Sequence, residues 1–277
     1  MAALRAIPAD NHGVSAMKDF DGKVALVTGT TGIGLASARR FAAGGAAVIA
    51  LGIDRNANAA MQAELDRSGA SALVVATDVS VPEQVAEAIA AGVGRFGGLD
   101  IIVNSAAVHP YGTATSTDFE TWNRAMSVNV GSIYLTARFG IPEMIKRGGG
   151  AIVNVASVQG HACQQNVAAY ATTKGAIHTL TRSLALDYAR QGIRVNSVSP
   201  GSIRTPILER AARGDSGTDA DVEEAFKRFG EAHPIGRIGE PEEVAELIAF
   251  LCSSKASFCT GADYKIDGGL TASIGVK

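Results

Sequence analysis

The apolar residues of the chain form short continuous runs that alternate with longer stretches of mixed polarity. The short runs predict seven strands, at residues 23–28, 46–52, 72–78, 99–105, 150–157, 194–199 and 262–267. These runs are continuously apolar rather than strictly alternating, which is typical of parallel strands that are covered on both faces.

The stretches between these runs carry apolar residues at helical spacing. They predict helices at residues 33–43, 56–68, 82–96, 118–146, 168–190 and 241–253. Pro82 and Pro241 each stand where a first helical turn tolerates proline. Because strand and helix alternate throughout, we predict a single doubly wound, Rossmann-type α/β domain with a seven-stranded parallel sheet and helices on both faces.

Two segments depart from this alternation. Residues 1–20 lack both periodicity and the apolar region of a signal peptide, so we predict a loose N-terminal tail before a catalytic domain at 21–277. An ordered arm that packs on a neighbouring subunit is the alternative. Residues 203–235 form a long connection, which predicts a mobile substrate lid with one short helix over the sequence DADVEEAFKRF.

Composition and charge exclude several classes of function. The chain has 277 residues, is 47% hydrophobic and carries a net charge of -2, so it has no basic surface suited to nucleic acid or an anionic membrane. No apolar run reaches the length of about 18 residues that a membrane span needs. Cys163, Cys252 and Cys259 form no metal-binding motif, so we expect no metal site, reduced thiols and a cytoplasmic location.

A glycine-rich loop, VTGTTGIG at residues 27–34, lies between the first predicted strand and the first predicted helix. Its glycines, Gly29, Gly32 and Gly34, follow the spacing G-x-x-G-x-G rather than the G-x-G-x-x-G of the dinucleotide fingerprint. Glycines let a backbone approach a pyrophosphate, and a helix N-terminus offers free N–H groups. The loop alone therefore fits either a phosphate site or a tight turn.

A serine, a tyrosine and a lysine form the most specific pattern. Ser157 ends the fifth predicted strand, at the edge where open α/β sheets bind ligands. Tyr170 and Lys174 follow inside the predicted helix 168–190, and their i, i+4 spacing places them on one helix face. A nearby ammonium lowers the pKa of a tyrosine from about 10, so that it exchanges a proton with an alcohol or carbonyl. Taken alone, Tyr170 and Lys174 also fit a chance occurrence of the Y-x-x-x-K spacing, with a solvated lysine that has no catalytic role.

Together these motifs resemble the short-chain dehydrogenase/reductase family, from about residue 20 to the C-terminus. The matching segments are VTGTTGIG, TDVS at 77–80, SVNVGSIYL with Asn129, NVAS and YATTK, SVSPGSIRTP, and YKIDGG. The resemblance implies hydride transfer to or from NAD(P). It also implies that Tyr170 is the acid/base, Lys174 tunes it and binds ribose, Ser157 orients the substrate, and Asn129 anchors a proton-relay water.

The resemblance further implies a set of cofactor-binding residues and an assembly. The expected cofactor-binding residues are Gly29, Thr31, Gly32, Ile33, Gly34, Asp54, Asp78, Val79, Asn104, Ala106, Tyr170, Lys174, Pro200, Gly201, Ile203 and Thr205. Asp78 is expected to hold the adenine ring and Thr205 to meet the nicotinamide carboxamide. Family members are commonly homotetramers built on the helices that correspond to 118–146 and 168–190, so we expect a homotetramer here.

The chain departs from the family pattern around the cofactor. The glycine loop is one residue shorter than T-G-x-x-x-G-x-G, so either the loop is truncated or the strand slips and Thr28 takes the place of the first glycine. Residues 104–107 read NSAA instead of the usual NNAG. Gly52 stands where many members carry an Asp for the 2′-hydroxyl of NAD, although Asp54 follows two residues later. We expect NAD as the cofactor, with NADP as the alternative.

Polar residues near the predicted catalytic set indicate the class of substrate. His109 follows the fourth strand, and Gln159, His161 and Gln164 lie between Ser157 and Tyr170. Such side chains suit a polyhydroxylated ligand, and the segment is similar to that of the family's sugar and polyol dehydrogenases. Oxidation of a sugar or polyol is therefore our expectation. Reduction of a 3-oxoacyl thioester on a carrier protein is the main alternative, and a non-catalytic nucleotide sensor, supported only by the short loop, is another.

Overall fold

The computed structural model describes residues 18–213 and 218–272, and its centre is a seven-stranded parallel sheet. The strands are β1 (Val24–Thr28), β2 (Ala47–Gly52), β3 (Ala72–Ala76), β4 (Ile101–Asn104), β5 (Gly150–Val155), β6 (Ile193–Pro200) and β7 (Asp263–Ile266). Their order across the sheet is β3-β2-β1-β4-β5-β6-β7, and each neighbouring pair is parallel. The predicted fold class is confirmed.

Helices cover both faces of this sheet. They are α1 (Gly32–Ala43), α2 (Arg55–Arg67), α3 (Pro82–Phe96), α4 (Phe119–Met126), α5 (Ser132–Lys146), α6 (Ala168–Tyr188), α7 (Pro206–Arg213), α8 (Asp219–Glu231) and α9 (Pro241–Cys252). Successive residues of a strand point to opposite faces, so Ala25 and Val27 pack in one core with α1, α2 and α9. Val24 and Leu26 pack in the other core with α3, α5 and α6.

The helix predicted as one element at 118–146 is interrupted. A π-helical turn, Ser127–Gly131, separates α4 from α5. The apolar periodicity runs through this turn without a Pro or a change of polarity, so the sequence pattern does not show it. The turn contains Asn129, which is 1% exposed, and π turns of this kind are frequent at functional sites.

The packed domain begins earlier than the predicted boundary at residue 21. The Phe20 ring is buried against Phe41 with the ring centres 4.9 Å apart, and the backbone N–H of Phe20 donates to the carbonyl of Gly44. Residues 1–17, most of the predicted tail, lie outside the described residues. Within the described ranges, no helix is both long and apolar enough to cross a bilayer.

The predicted lid contains two helices rather than one. In addition to α8, which begins with a capping box between Thr218 and Asp221, the shorter α7 follows Thr205 directly. Val222 and Phe226 of α8 are buried against Ile238, as the apolar stripe predicts.

Ligands bind an open sheet where the strand order reverses. Here the order reverses between β1 and β4, because the chain leaves β1 towards β2 on one side and later returns to β4 on the other. The loops that follow β1 and β4 therefore diverge and leave a crevice at the carboxyl edge of the sheet. This crevice positions the site described next.

Candidate active site

The short glycine loop is a truncation and not a slip of the strand. Thr28 remains the last paired residue of β1, opposite Leu51 and Asn104. Gly29 follows with a left-handed φ of 90°, which only glycine adopts readily, and its N–H donates to the carbonyl of Leu51 at 2.8 Å. Gly29 therefore corresponds to the first glycine of the T-G-x-x-x-G-x-G pattern. The turn between Gly29 and Gly32 is the part of the loop that is one residue shorter.

The N-terminus of α1 is arranged to receive an anion. The helix begins at Gly32, one residue before the predicted start, so Gly32, Ile33 and Gly34 form its first turn. In the described structure the N-cap residue Thr31 gives this turn no side-chain hydrogen bond, so its N–H groups stay available to a ligand. A Cβ on Gly34 would collide with the carbonyl oxygen of Gly29, so this glycine serves close packing of the helix on the loop.

A cavity of about 970 Å³ runs from this loop along the carboxyl edge of the sheet to Ser157 and Tyr170. This volume is within the range typical of sites for small-molecule ligands. All predicted cofactor-binding residues line it except Gly34 and Asn104. Asn104 is buried, and its side chain donates to Asn154 and accepts from Thr136, so a role for Asn104 in cofactor binding stays a prediction.

Three of the four predicted catalytic side chains meet at the far end of the cavity. Ser157 follows β5 with an extended backbone, and Tyr170 and Lys174 lie on successive turns of α6. Tyr170 is 9% exposed and Lys174 is 3% exposed. The Nζ of Lys174 donates to the carbonyl oxygen of Val155 at 2.8 Å, which fixes the amine beneath the cavity.

Burial dominates the electrostatics of this group. Desolvation raises the pKa of Tyr170 to about 12, although the Ser157 hydroxyl opposes the rise. Desolvation also lowers the pKa of Lys174 to about 7. The expected lowering of the Tyr170 pKa by Lys174 is therefore not present in the protein alone, because removing both groups from water favours the neutral phenol and the neutral amine.

Asn129 supports the site from outside the cavity. Its Oδ1 accepts from the N–H of Val108, and its Nδ2 donates to the carbonyl of Val108 at 2.9 Å and to the Thr173 hydroxyl at 3.0 Å. All three bonds tie the loop after β4 to α6, beside Tyr170 and Lys174. The side chain of Asn129 is thus a link between two elements that carry the site.

The loop after β3 brings a charged pair to the cavity wall. Burial disfavours the ionised form of Asp78, but hydrogen bonds from Ser80 and Arg124 outweigh this and hold the pKa of its carboxyl below the ordinary range. Arg124 of α4 reaches the Asp78 carboxylate at 3.1 Å and also lines the cavity. Arg124 was missed in the sequence because nothing in the spacing of residues 78 and 124 signals their contact.

Gly52 ends β2 at the position where many members of the resembled family carry an Asp. Here the space beside Gly52 is filled by other side chains. The Thr30 hydroxyl donates to the Oδ1 of Asn58, and the Asn58 amide donates to the carbonyl of Gly52, both at 2.8 Å. A Cβ on Gly52 would collide with Asn58 and Thr30. Asp54 lies just beyond, where its Oδ1 accepts from the N–H groups of Asn56 and Ala57 and caps α2.

The predicted substrate residues divide into two groups. His109, Gln159 and Gln164 line the cavity, and the His109 ring lies against the Tyr170 ring with the centres 4.0 Å apart. Burial, with a smaller effect of Lys174, lowers the pKa of His109, so the ring is neutral at pH 7. His161 does not line the cavity, and its Nε2 lies 2.7 Å from the Asp263 carboxylate, so its contact with substrate stays a prediction.

Further residues that the sequence did not single out complete the wall. Leu208 and Arg210 of α7, Phe229 of α8, and Leu270 and Thr271 after β7 all line the cavity. Leu208, Arg210 and Phe229 lie within the predicted lid, but the sequence did not single them out as individual residues. Leu270 and Thr271 directly follow the YKIDGG motif, and that adjacency was the available signal for them.

The residues present fit a nicotinamide dinucleotide. A Cβ on Gly32 would lie 3.0 Å from the Thr205 side chain, so the glycine keeps open the passage between the loop and the segment after β6. The uncapped first turn of α1 suits a pyrophosphate, and Gly52, Asp54, Lys174 and Thr205 line the same cavity.

Comparison with known proteins identifies the family of the chain. A family model described as enoyl-(acyl carrier protein) reductase matches residues 27–271. Cyclohexanol dehydrogenase of Acinetobacter sp. strain SE19 is 37% identical over 257 residues, which cover 91% of this chain and 96% of that protein.

Two solved structures share the fold over nearly the full length. The aldohexose dehydrogenase of Thermoplasma acidophilum has a TM-score of 0.86 and 37% identity, covering 94% of this chain and 98% of that one. The L-sorbose reductase of Gluconobacter frateurii, solved with NADPH and L-sorbose, has a TM-score of 0.86 and 33% identity, covering 93% and 100%. The chain therefore belongs to the short-chain dehydrogenase/reductase family and is an NAD(P)-dependent oxidoreductase that acts on CH–OH groups.

Proposed function

We propose that this enzyme oxidises a hydroxyl group of a sugar or polyol to the carbonyl or lactone, with NAD as the acceptor. Among the described side chains, two buried polar atoms have no hydrogen-bond partner: the Nδ1 of His109 and the Oε1 of Gln159. Both residues line the cavity beside Tyr170 and Ser157. A buried polar atom without a partner is costly, so a ligand with a second hydroxyl next to the reacting one satisfies what the protein leaves open.

The residues act on the substrate as follows. Ser157 hydrogen-bonds the reacting oxygen, and Tyr170 in its phenolate form takes the proton of that hydroxyl. The carbon loses a hydride as the carbonyl forms, and the bound dinucleotide supplies the acceptor for it. The positive charge of Lys174 stabilises the phenolate, while in the reverse direction Tyr170 starts as a phenol and gives its proton to the carbonyl oxygen.

The adenosine end of the cavity supports NAD over NADP. Asp54 places a carboxylate there and already occupies the free N–H groups of α2. A 2′-phosphate would meet this negative charge and find the helix N-terminus taken, whereas a 2′-hydroxyl donates to a carboxylate. NADP is the alternative, because the related L-sorbose reductase was solved with NADPH.

The similarity to an aldohexose dehydrogenase and an L-sorbose reductase supports the sugar class. The rival substrate, a 3-oxoacyl thioester on an acidic carrier protein, favours a basic docking surface beside the lid. At the base of the lid, however, Arg204 pairs with Glu223 and Glu240, and Arg237 pairs with Glu243. These carboxylates neutralise the two arginines and oppose that reading.

A substrate panel tests the proposal. Aldoses, polyols and vicinal cyclic diols are assayed with NAD and with NADP, in parallel with an acetoacetyl thioester and NADPH. We expect turnover of polyhydroxylated compounds with NAD and a higher kcat/KM for a diol than for the matching mono-alcohol. Activity on the thioester alone would refute the sugar proposal, and a clear preference for NADP would refute the choice of cofactor.

We also propose a homotetramer in the cytoplasm. Tyr134 on α5 and Leu186 on α6 expose 51% and 82% of their surface, on the two helices expected to form subunit contacts. Apolar side chains of this size are stabilised by burial between subunits. All three cysteines are free, as in a reducing compartment. Light scattering coupled to gel filtration tests the assembly, and a monomer at micromolar concentration would contradict it.

A further inference from the structure

Two histidines and an aspartate converge beside α6, and none of the three lines the cavity. His161 follows the short helical turn after Ser157, His178 lies one turn beyond Lys174 on α6, and Asp263 begins β7. Each contributes one side-chain nitrogen or oxygen, and these three atoms lie within 4.8 Å of one another. The residues are far apart in sequence and form no spacing motif, so the cluster arises only from the fold.

We propose that His161, His178 and Asp263 bind a divalent transition metal of the zinc class. Two imidazole nitrogens and one carboxylate are a common donor set for this class of ion. Both Nε2 atoms face the same carboxylate, at 2.7 Å from His161 to Oδ2 and 3.5 Å from His178 to Oδ1. Donor atoms that share one zinc ion lie roughly 3 to 3.5 Å apart, so small shifts of the side chains accommodate the ion.

The two rings lie near enough to bind one ion after a small movement. The rings of His161 and His178 stack with their centres 4.3 Å apart and their planes inclined by 29°. Two imidazoles bound to one tetrahedral ion through nitrogen at about 2.1 Å hold their ring centres roughly 5.3 Å apart. Binding therefore requires the two rings to separate by about 1 Å, and the side chain of His161, which is partly exposed, has room to move.

The surrounding hydroxyl groups orient the carboxylate, as partners behind a metal ligand do. Ser197 donates to the Oδ1 of Asp263 at 2.6 Å and Ser199 donates to the same oxygen at 2.9 Å. Both serines are fully buried on β6. They leave Oδ2 directed at His161, and ligating carboxylates are commonly held in this way by hydrogen bonds to their other oxygen.

Metal binding here would fasten the wall of the substrate cavity to the sheet. His161 lies between Gln159 and Gln164 in the segment after Ser157, whereas Asp263 belongs to β7. The described side-chain contacts of His161 are with Asp263 and His178, so an ion at this point crosslinks the segment to β7 and α6. The site does not depend on the identity of the substrate, and its test is separate from the substrate panel.

The competing interpretation is a cluster held by hydrogen bonds alone, and a titration distinguishes the two. The full-length protein is stripped with EDTA and titrated calorimetrically with ZnCl₂ and, separately, with MgCl₂. We expect one Zn²⁺ per chain and weaker or absent Mg²⁺ binding, since Mg²⁺ prefers oxygen ligands. His161→Gln and Asp263→Asn should each weaken Zn²⁺ binding at least about tenfold.

Cys163→Ser provides the matched control, because Cys163 is an exposed thiol two residues from His161. It should leave Zn²⁺ affinity unchanged. With CoCl₂ as the probe, wild-type protein should show a visible absorption band that His161→Gln loses. Circular dichroism checks that each variant is folded. Absence of Zn²⁺ binding, unchanged affinity in both His161→Gln and Asp263→Asn, or an equal loss in Cys163→Ser would overturn the proposal.

Discussion

The Nζ of Lys174 lies 5.3 Å from the centre of the Tyr170 ring, one helical turn along α6. The two side chains are buried together, and the loss of water raises the pKa of the phenol and lowers the pKa of the amine. The phenol stays protonated and the amine titrates near neutral pH in the protein alone. The pair therefore responds to whatever brings a charge or a hydrogen-bond partner into the cavity.

Replacing Tyr170 with Phe should abolish most turnover while the cofactor still binds. The hydroxyl is the only part of the side chain that is lost, and positioned acid–base groups contribute about 10²- to 10⁴-fold to rate. Steady-state kinetics and calorimetry with NAD measure the two effects. Equal turnover in Tyr170→Phe would refute the assigned role, and absence of turnover in both proteins would favour the nucleotide-sensor alternative.

Replacing Lys174 with Met should change how stability depends on pH. The folded protein releases the Lys174 proton near pH 7, whereas the unfolded chain holds it until its ordinary pKa of 10.5. Because the unfolded state binds more protons between these values, wild-type stability rises with pH across this window relative to Lys174→Met, on the order of a few kcal/mol in total.

Urea denaturation of the cofactor-free proteins at pH 7, 8 and 9 measures this difference, below the range where Tyr170 ionises. Lys174→Arg keeps a positive charge with a pKa above the window and should remove the same slope. Parallel pH dependence in the wild type and Lys174→Met would contradict the lowered pKa of Lys174.

The sequence predicted the strands and most of the helices because they depend on the local pattern of apolar residues. It also predicted most of the residues that line the cavity, because these belong to motifs at the ends of strands. Ser157, Tyr170 and Lys174 meet as their strand and helix positions require. The contacts that sequence pattern missed join residues far apart in the chain. His161 turned away from the cavity because Asp263, about a hundred positions later, offers it a charged partner, and Arg124 reached Asp78 for the same reason.

Replacing Gln159 with Leu should weaken binding of a polyol more than that of a mono-alcohol. The amide is replaced by an apolar group of similar size, so the hydrogen bond from a second substrate hydroxyl is lost. One such bond contributes about 0.5–1.5 kcal/mol, so KM for the polyol should rise roughly 2- to 12-fold. Steady-state kinetics with a diol and its mono-alcohol measure the ratio. An equal change in KM for both substrates would contradict a role of Gln159 in selecting polyols.

Replacing Asp54 with Ser should shift selectivity from NAD towards NADP. Serine still caps α2 but carries no charge, so the repulsion of a 2′-phosphate is removed. The ratio of kcat/KM for the two cofactors measures the shift. Asp118→Ser, at the N-cap of α4, is the matched control and should leave the ratio unchanged. An equal shift in both variants would assign the effect to net charge instead of to the place of Asp54.

Replacing Gly34 with Ala should impair both stability and cofactor binding. The new Cβ would collide with the backbone of Gly29 and lie 3.2 Å from the carbonyl oxygen of Thr28. Backbone atoms that are held in the sheet cannot move aside as a flexible side chain does, so α1 must shift away from the loop. Overpacking of this kind costs about 1–3 kcal/mol.

Gly94 of α3 provides the comparison, because a Cβ there meets nothing within 4 Å. Gly94→Ala should be stabilising by about 0.4–1 kcal/mol, since alanine reduces the freedom of the unfolded chain. Thermal denaturation and NAD titration of both variants measure the effects. Because the shortened loop has one residue fewer with which to absorb a displaced helix, Gly34→Ala should lose NAD affinity together with stability. A Gly34→Ala protein that binds NAD like the wild type would show that the N–H groups of α1 do not hold the pyrophosphate.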